Sequence, residues 1–156
     1  MKNAFLLIVH SNYDQLLQMM KCLDYADNDF YIHVNSLVNN IPYGFLESEI
    51  SAAKIKYVKR HEIYWGGCGI LEASIELLKS AYSGGKYDYF HLLTGEDLPI
   101  KSYAEFRAFL EENLYLNESA IYKTNYIGGS VEFDKKVWAR VAHYNFGVKH
   151  WRDKNP

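Results

Sequence analysis

Four residues that could make polar or stacking contacts with a ligand follow the four predicted strands of this sequence. They are His10, Asn35, Trp65 and Asp97. In an open α/β sheet, ligands bind in the crevice outside the carboxyl ends of the parallel strands. An aromatic face stacks on a base, while polar groups bind the ribose and the base edges. The pattern therefore predicts a nucleotide cleft. Taken singly, each residue also fits a structural role in a cap, a turn or the core.

Two short strings near these positions could add chemistry. Glu96 and Asp97 follow the Gly95 turn, where they could form part of a site or could only bond nearby backbone N–H groups. The string Trp65-Gly-Gly-Cys-Gly69 precedes a predicted helix. Its glycines allow a positive φ or a close backbone approach before an anion-binding helix N-terminus, although a loop that only needs flexibility would look the same.

Other common sites are not indicated by the sequence. No glycine-rich phosphate fingerprint follows the first strand, which argues against a Rossmann dehydrogenase and a P-loop NTPase. No Asp-x-Asp follows a predicted strand, and the sequence has no His-x-x-x-His and no cysteine pair at metal-binding spacing. We therefore predict no metal and no cofactor.

The elements that must position these residues alternate along the chain. A continuous apolar run predicts a strand buried on both faces at residues 4–9, and residues 87–93 also read as a buried strand. Further strands are predicted at 29–34 and 55–58, with 120–122 as a candidate fifth strand. Apolar residues at helical spacing lie between them. Capping boxes are suggested at Asn12 with Gln15 and at Ser102 with Glu105, and Gly84-Gly85 suggests a helix stop. This order predicts an α/β fold with a mostly parallel sheet and helices on both faces.

Composition limits the remaining possibilities. A length of 156 residues suits a single domain spanning residues 1–156. The net charge of −2 argues against nucleic-acid binding. The first apolar run is too short to span a bilayer, so no transmembrane segment is predicted. Two cysteines do not form a disulfide framework, which predicts a reduced, cytoplasmic protein.

Three strings together resemble the core-2/I-branching N-acetylglucosaminyltransferase family, which also contains the peptide xylosyltransferases. The strings are Ala4-Phe-Leu-Leu-Ile-Val-His10, Asn28-Asp-Phe-Tyr-Ile-His-Val34, and Trp65-Gly-Gly continuing through the segment from Tyr87 to Ser102. That last segment, YDYFHLLTGEDLPIKS, is similar to the family's D-Y-x-x-x-L-S-G-x-D-x-P-I-K pattern. The resemblance covers residues 2–110 well and the rest loosely.

The resemblance implies a GT-A-type, Rossmann-like fold and an activity. The expected reaction is metal-independent, inverting transfer of a sugar such as N-acetylglucosamine or xylose from a UDP-sugar to a glycan or other hydroxyl acceptor. By the family pattern, Val9 and His10 would line the uridine, Asn35 would lie near the ribose and Trp65 over the uracil. Asp97 would border the sugar. Residues expected on the acceptor side are Glu96, Lys135 and Arg140.

Two departures from the family pattern qualify these expectations. The family usually has Asp where this chain has Asn35, and its members are markedly longer. By analogy, the general base and the cations that neutralise the leaving group would lie beyond Pro156, so we expect the N-terminal portion of a bacterial-type enzyme, inactive by itself. Its location would be the cytoplasm, either free or peripheral to a membrane. A non-catalytic nucleotide-sugar-binding module and, more weakly, a flavodoxin-like signalling domain are the alternatives.

Overall fold

The computed structural model describes residues 1–113 and contains one parallel sheet. Its strand order is β3-β2-β1-β4. The strands are β1 (Asn3–Val9), β2 (Asn28–Val34), β3 (Lys54–Tyr57) and β4 (Tyr89–Thr94). Each neighbouring pair is parallel. This α/β, Rossmann-like arrangement confirms the predicted fold class and agrees with a GT-A-like fold.

Within residues 1–113, four helices connect and cover the strands. They are α1 (Tyr13–Cys22), α2 (Tyr43–Glu49), α3 (Gly69–Gly84) and α4 (Tyr103–Asn113). One core lies beneath α1 and α2 and includes Phe5, Leu7 and Val9 from β1, with Phe106 of α4 packed against it. The opposite core joins the alternate β1 side chains Ala4, Leu6 and Ile8 to α3. Because β1 packs on both faces, its sequence is continuously apolar.

The fourth strand departs from its prediction. We predicted a buried strand over residues 87–93, whereas β4 runs from Tyr89 to Thr94, with Phe90 and Leu92 39% and 53% exposed. The reason is its position: within residues 1–113 it pairs only with β1, and α3 packs over β1 and β2 instead. An apolar run indicates a strand, but it does not reveal which strand lies at an edge.

Of the three helix-end signals predicted from the sequence, two are found in the structure. At α4, the Ser102 N–H donates to Glu105 Oε2 (3.1 Å) and the Glu105 N–H donates to Ser102 Oγ (3.3 Å), which is the predicted capping box. Gly85 follows the end of α3, as predicted. At α1, Asn12 has a left-handed φ of 55° and donates to the Gln15 side chain, so it makes no side-chain cap.

Two predictions concern residues outside the part of the chain that the structure describes. The candidate strand at 120–122 and the single-domain extent over 1–156 involve residues beyond Asn113. Over residues 1–113, none of the helices combines the length and the apolar composition needed to cross a membrane.

Candidate functional site

A cleft of ≈ 650 Å³ opens at the carboxyl edge of the sheet. It is formed by the ends of β1, β2 and β4, by the loop after β3 and by the first turn of α3. Three of the four residues that were predicted to converge, His10, Asn35 and Trp65, line it together with Glu96. The other lining residues are Ile8, Ile63, Tyr64, Gly66, Gly67, Ile70 and Thr94.

Trp65 lies in a turn that leads directly into α3. Its side chain is 74% exposed at the cleft. Gly66 has a φ of 77°, a conformation that side chains with a Cβ rarely adopt, and the Gly67 N–H donates to the Tyr64 carbonyl (3.0 Å). At Gly69 a Cβ would lie 2.1 Å from the Glu62 carbonyl oxygen. The glycines flanking Cys68 therefore permit a tight turn and a close approach between the loop and the helix.

Asn35 contributes to the cleft wall, but its amide group is largely used by the protein itself. The residue is buried. Its Oδ1 accepts from the N–H groups of Ile63 and Leu37 (both 3.1 Å), and its Nδ2 donates to the Ile63 carbonyl (2.9 Å). The side chain therefore joins the end of β2 to the loop that carries Trp65.

His10 and Glu96 face each other across the rim of the cleft. His10 Nε2 lies 3.8 Å from Glu96 Oε1, and both side chains are more than half exposed. Ser11 Oγ donates to the same carboxylate oxygen (3.3 Å), and Gln15 Nε2 donates to the Glu96 carbonyl. Glu96, which was expected on the acceptor side, is thus held beside the residue expected at the nucleotide.

Asp97 and Val9 occupy other positions. Asp97 Oδ2 accepts from the N–H and the hydroxyl of Thr94 (2.7 and 3.1 Å), which closes a local turn. Asp97 does not line the cleft, and it borders a separate, mainly apolar hollow of ≈ 260 Å³ instead. The Val9 side chain is fully buried, so only its backbone lies at the site, where its carbonyl accepts from the Asn35 N–H (2.8 Å). Lys135 and Arg140 lie outside the described residues.

The sequence reasoning missed several residues at the site. Ile63 and Tyr64 line the cleft, Arg60 bonds three carbonyls at the end of β2, and His33 lies buried beside His61. The alternation of side chains along β2 could have placed His33 on the sheet face that α3 covers, because His33 pairs with Ile8, which lies on that face. No motif indicates the others, and the Arg60 guanidinium acts through bonds to backbone carbonyls 22 to 26 residues away.

The charged side chains of the cleft limit which parts of a ligand it can bind. None of its described lining residues is Lys or Arg. Within residues 1–113, no group of three His, Cys, Asp or Glu side chains is arranged to hold a metal ion. The described walls therefore offer stacking and hydrogen-bonding groups, and no Lys or Arg side chain for a diphosphate.

Comparison with known protein families shows to which family this chain is related. The model of the Core-2/I-branching enzyme family matches residues 3–142. This chain belongs to the Core-2/I-branching enzyme family. Among its relatives, human xylosyltransferase 1 is 26% identical over 118 residues, which are 73% of this chain and 12% of that protein. Rat xylosyltransferase 2 is 27% identical over 114 residues, 70% of this chain and 13% of that protein. The chain thus spans about an eighth of the length of these relatives.

Proposed function

We propose that this chain forms the donor-nucleotide part of a glycosyltransferase and that its cleft binds the uridine of a UDP-sugar. The observation that carries the proposal is the grouping of His10, Asn35 and Trp65 at the carboxyl edge of the sheet in a member of this family. An exposed indole beside polar groups suits a base stacked on its face, with the ribose near the polar side chains.

The proposed reaction is transfer of the sugar to an acceptor hydroxyl with inversion and without a metal. N-acetylglucosamine and xylose are the two donor sugars to be tested, and the xylosyltransferase relatives support the second. Such a transfer needs a base for the incoming hydroxyl and positive charge at the departing diphosphate. The described cleft walls carry no Lys or Arg. We therefore propose that residues outside the described part supply the cations, and that residues 1–113 mainly bind the nucleotide.

Calorimetry with UDP, ADP and GDP tests the nucleotide assignment. We expect UDP to bind in preference to ADP and GDP. Trp65→Ala should weaken UDP binding by about 5-fold to 150-fold, since stacking on an aromatic side chain contributes about 1–3 kcal/mol per base. Tyr82→Ala is the matched control, because Tyr82 is exposed near the other end of α3. Equal binding of the three nucleotides, or no effect of Trp65→Ala, would reject the uridine site.

A non-catalytic nucleotide-sugar-binding module is the second candidate. The specific observation in its favour is the lack of a cationic residue among the described lining residues. Release of UDP from UDP-xylose or UDP-N-acetylglucosamine in the presence of hydroxyl acceptors distinguishes the two. Turnover by the 156-residue chain that disappears with Trp65→Ala would support an enzyme, whereas tight UDP-sugar binding without turnover would support the module.

A further inference from the structure

We infer that Asn35 is a positioning residue that holds the loop carrying Trp65 through an amide-specific pair of hydrogen bonds, and that its Oδ1 does not accept from the ribose. The Trp65 loop is defined here as residues 58–68, between β3 and α3. The inference rests on the proposed function only in assigning the nucleotide to Trp65. The hydrogen bonds that carry it are internal to the protein.

The side chains of His33 and Asn35, at the end of β2, bond this loop where regular strand pairing stops. β3 ends at Tyr57, and Val58 still donates to the Ile32 carbonyl (3.0 Å). Beyond that point, the His61 N–H donates to His33 Nε2 (2.8 Å) and Ile63 exchanges two bonds with the Asn35 amide. Residues 61–63 are therefore fixed to the end of β2 by two buried side chains together with one backbone bond, from the Ser36 N–H to the His61 carbonyl (3.1 Å).

An amide is the group that this geometry requires. Ile63 presents an N–H donor and a carbonyl acceptor to the same side chain, so its partner must both accept and donate. A carboxylate could accept from the N–H, but it would face the Ile63 carbonyl with a second negative oxygen. The Asn35 Oδ1 already accepts two N–H groups, from Ile63 and Leu37, which uses both of its lone pairs. It therefore has no acceptor capacity left for a ribose hydroxyl.

The neighbours of Asn35 keep its side chain and the loop in place. The Arg60 guanidinium donates to the carbonyls of Val34 (3.1 Å), Asn35 (2.7 Å) and Val38, which fixes the backbone from which the Asn35 side chain extends. His33 is fully buried, and this burial lowers its pKa to about 4, with the nearby His61 adding to the effect. Near neutral pH His33 is uncharged and its Nε2 remains a hydrogen-bond acceptor.

The two hydrogen bonds between the Asn35 side chain and Ile63, which we call the Asn35 clamp, act on nucleotide affinity through the position of Trp65. Trp65 follows the clamped Ile63 by two residues and lies within the turn closed by Gly67. If the clamp opens, the loop spends less time in the position that forms the cleft. The apparent affinity then falls in proportion to the fraction of molecules that remain competent.

Asn35→Asp, studied as a function of pH, tests this inference. An ionised Asp cannot donate to the Ile63 carbonyl, whereas a protonated Asp can donate through its hydroxyl and accept through its carbonyl. We expect binding about 10-fold to 100-fold weaker than wild type at about pH 8, as for a buried group left without its partner. Affinity should return to the wild-type value as the pH falls to about 5, because burial and the facing carbonyl raise the pKa of the new carboxyl, against the opposing effects of the Arg60 charge and of the Ile63 and Leu37 N–H donors.

Two probes separate loop position from charge repulsion. Uridine carries no charge, so a variant that repels only the diphosphate would bind uridine normally. In a Trp138→Phe, Trp151→Phe background, Trp65 is the remaining tryptophan, and its fluorescence in the ligand-free protein reports loop position directly. Measuring the wild type at each pH controls for protonation of the other groups around the site. These groups are His10, Glu96, His33 and His61, with the carboxylates of Glu72 and Glu76 near His61. Asn40→Asp, at an exposed position, controls for added charge.

The outcomes separate this inference from the proposed function. Matching, pH-reversible changes in uridine binding and in Trp65 fluorescence would support the clamp. Weaker uridine binding with unchanged Trp65 fluorescence would overturn it in favour of direct contact with the ligand. Loss of UDP binding alone, with uridine binding and fluorescence unchanged, would overturn it in favour of charge repulsion at the diphosphate, and a defect that low pH does not reverse would also overturn it. If wild type binds neither UDP nor uridine, the proposed function fails, while the fluorescence of the free protein still decides whether Asn35 holds the loop.

Discussion

The ends of β2 and β4 carry similar polar residues but use them in opposite ways. At the end of β2, Asn35 bonds Ile63, which is 28 residues away, and so fixes a loop that exposes Trp65. At the end of β4, Asp97 bonds Thr94, only three residues away, and closes its own turn. A polar residue after a strand thus does not define a site by itself. What matters is whether its partners are local or belong to another part of the site.

The two regions also each contain a histidine whose pKa is lowered to about 4. His33 faces α3 and bonds the Trp65 loop, whereas His91 on β4 stacks on Phe5 with ring centroids 4.8 Å apart. Burial is the leading cause of both shifts. The unfolded chain therefore takes up protons at a higher pH than the folded chain does, and its protonation favours unfolding.

The largest expected effect is a loss of stability in acid. As the pH falls from about 6.5 to about 4, each histidine with such a shift should lower the free energy of unfolding progressively, His33 by about 3 kcal/mol in total. Urea unfolding at a series of pH values measures this. Two variants should each reduce the dependence of the free energy of unfolding on pH. They are His33→Gln, which keeps an acceptor for the His61 N–H, and His91→Phe, which keeps a stacked ring.

The two histidine variants should differ in a second measurement. At neutral pH, His91→Phe should leave UDP binding unchanged, because His91 does not line the cleft. His33→Ala, which removes the partner of the His61 N–H, should weaken UDP binding in parallel with Asn35→Asp. Equal effects of both histidine variants on UDP affinity would show that the two regions are not distinct in function.

A smaller effect is expected at the β4 turn. Asp97→Ala removes two hydrogen bonds within one exposed turn and should lower the free energy of unfolding by about 1 kcal/mol. Asp97→Asn retains an acceptor oxygen and should cost less. UDP affinity should stay unchanged in both. If UDP-xylose or UDP-N-acetylglucosamine binds more weakly to Asp97→Asn while UDP does not, the predicted sugar-side role of Asp97 gains support.

The sequence predicted the elements better than the contacts between them. β1 and β2 were located to within one residue, and the prediction of β1 rested on its continuous apolar run, which is typical of a strand buried on both faces. Convergence of His10, Asn35 and Trp65 followed from parallel strands ending at one edge. The exposure of β4 did not follow, since it depends on strand order. The Asn35 clamp could not be predicted, because it joins side chains to backbone groups 28 residues away without a motif.

The smallest expected effect lies where the two regions meet, at Glu96. Its carboxylate follows β4, but it contacts His10 and Ser11 after β1 and lines the same cleft as Trp65. Because both members of the His10–Glu96 pair are more than half exposed, their attraction contributes little to stability, and Glu96→Gln should leave the unfolding midpoint almost unchanged.

Glu96→Gln should instead report on the electrostatics of the cleft. Removing a negative charge beside a bound diphosphate should strengthen UDP binding by roughly twofold to fivefold at low salt, with the gain shrinking as salt screens the charge, while uridine affinity stays constant. Calorimetry with both ligands at two salt concentrations measures this. A weaker affinity for UDP would mean that the Glu96 carboxylate accepts a hydrogen bond from the nucleotide. In that case the β4 turn would contribute to recognition directly, and the contrast with the β2 end would apply to Asp97 alone.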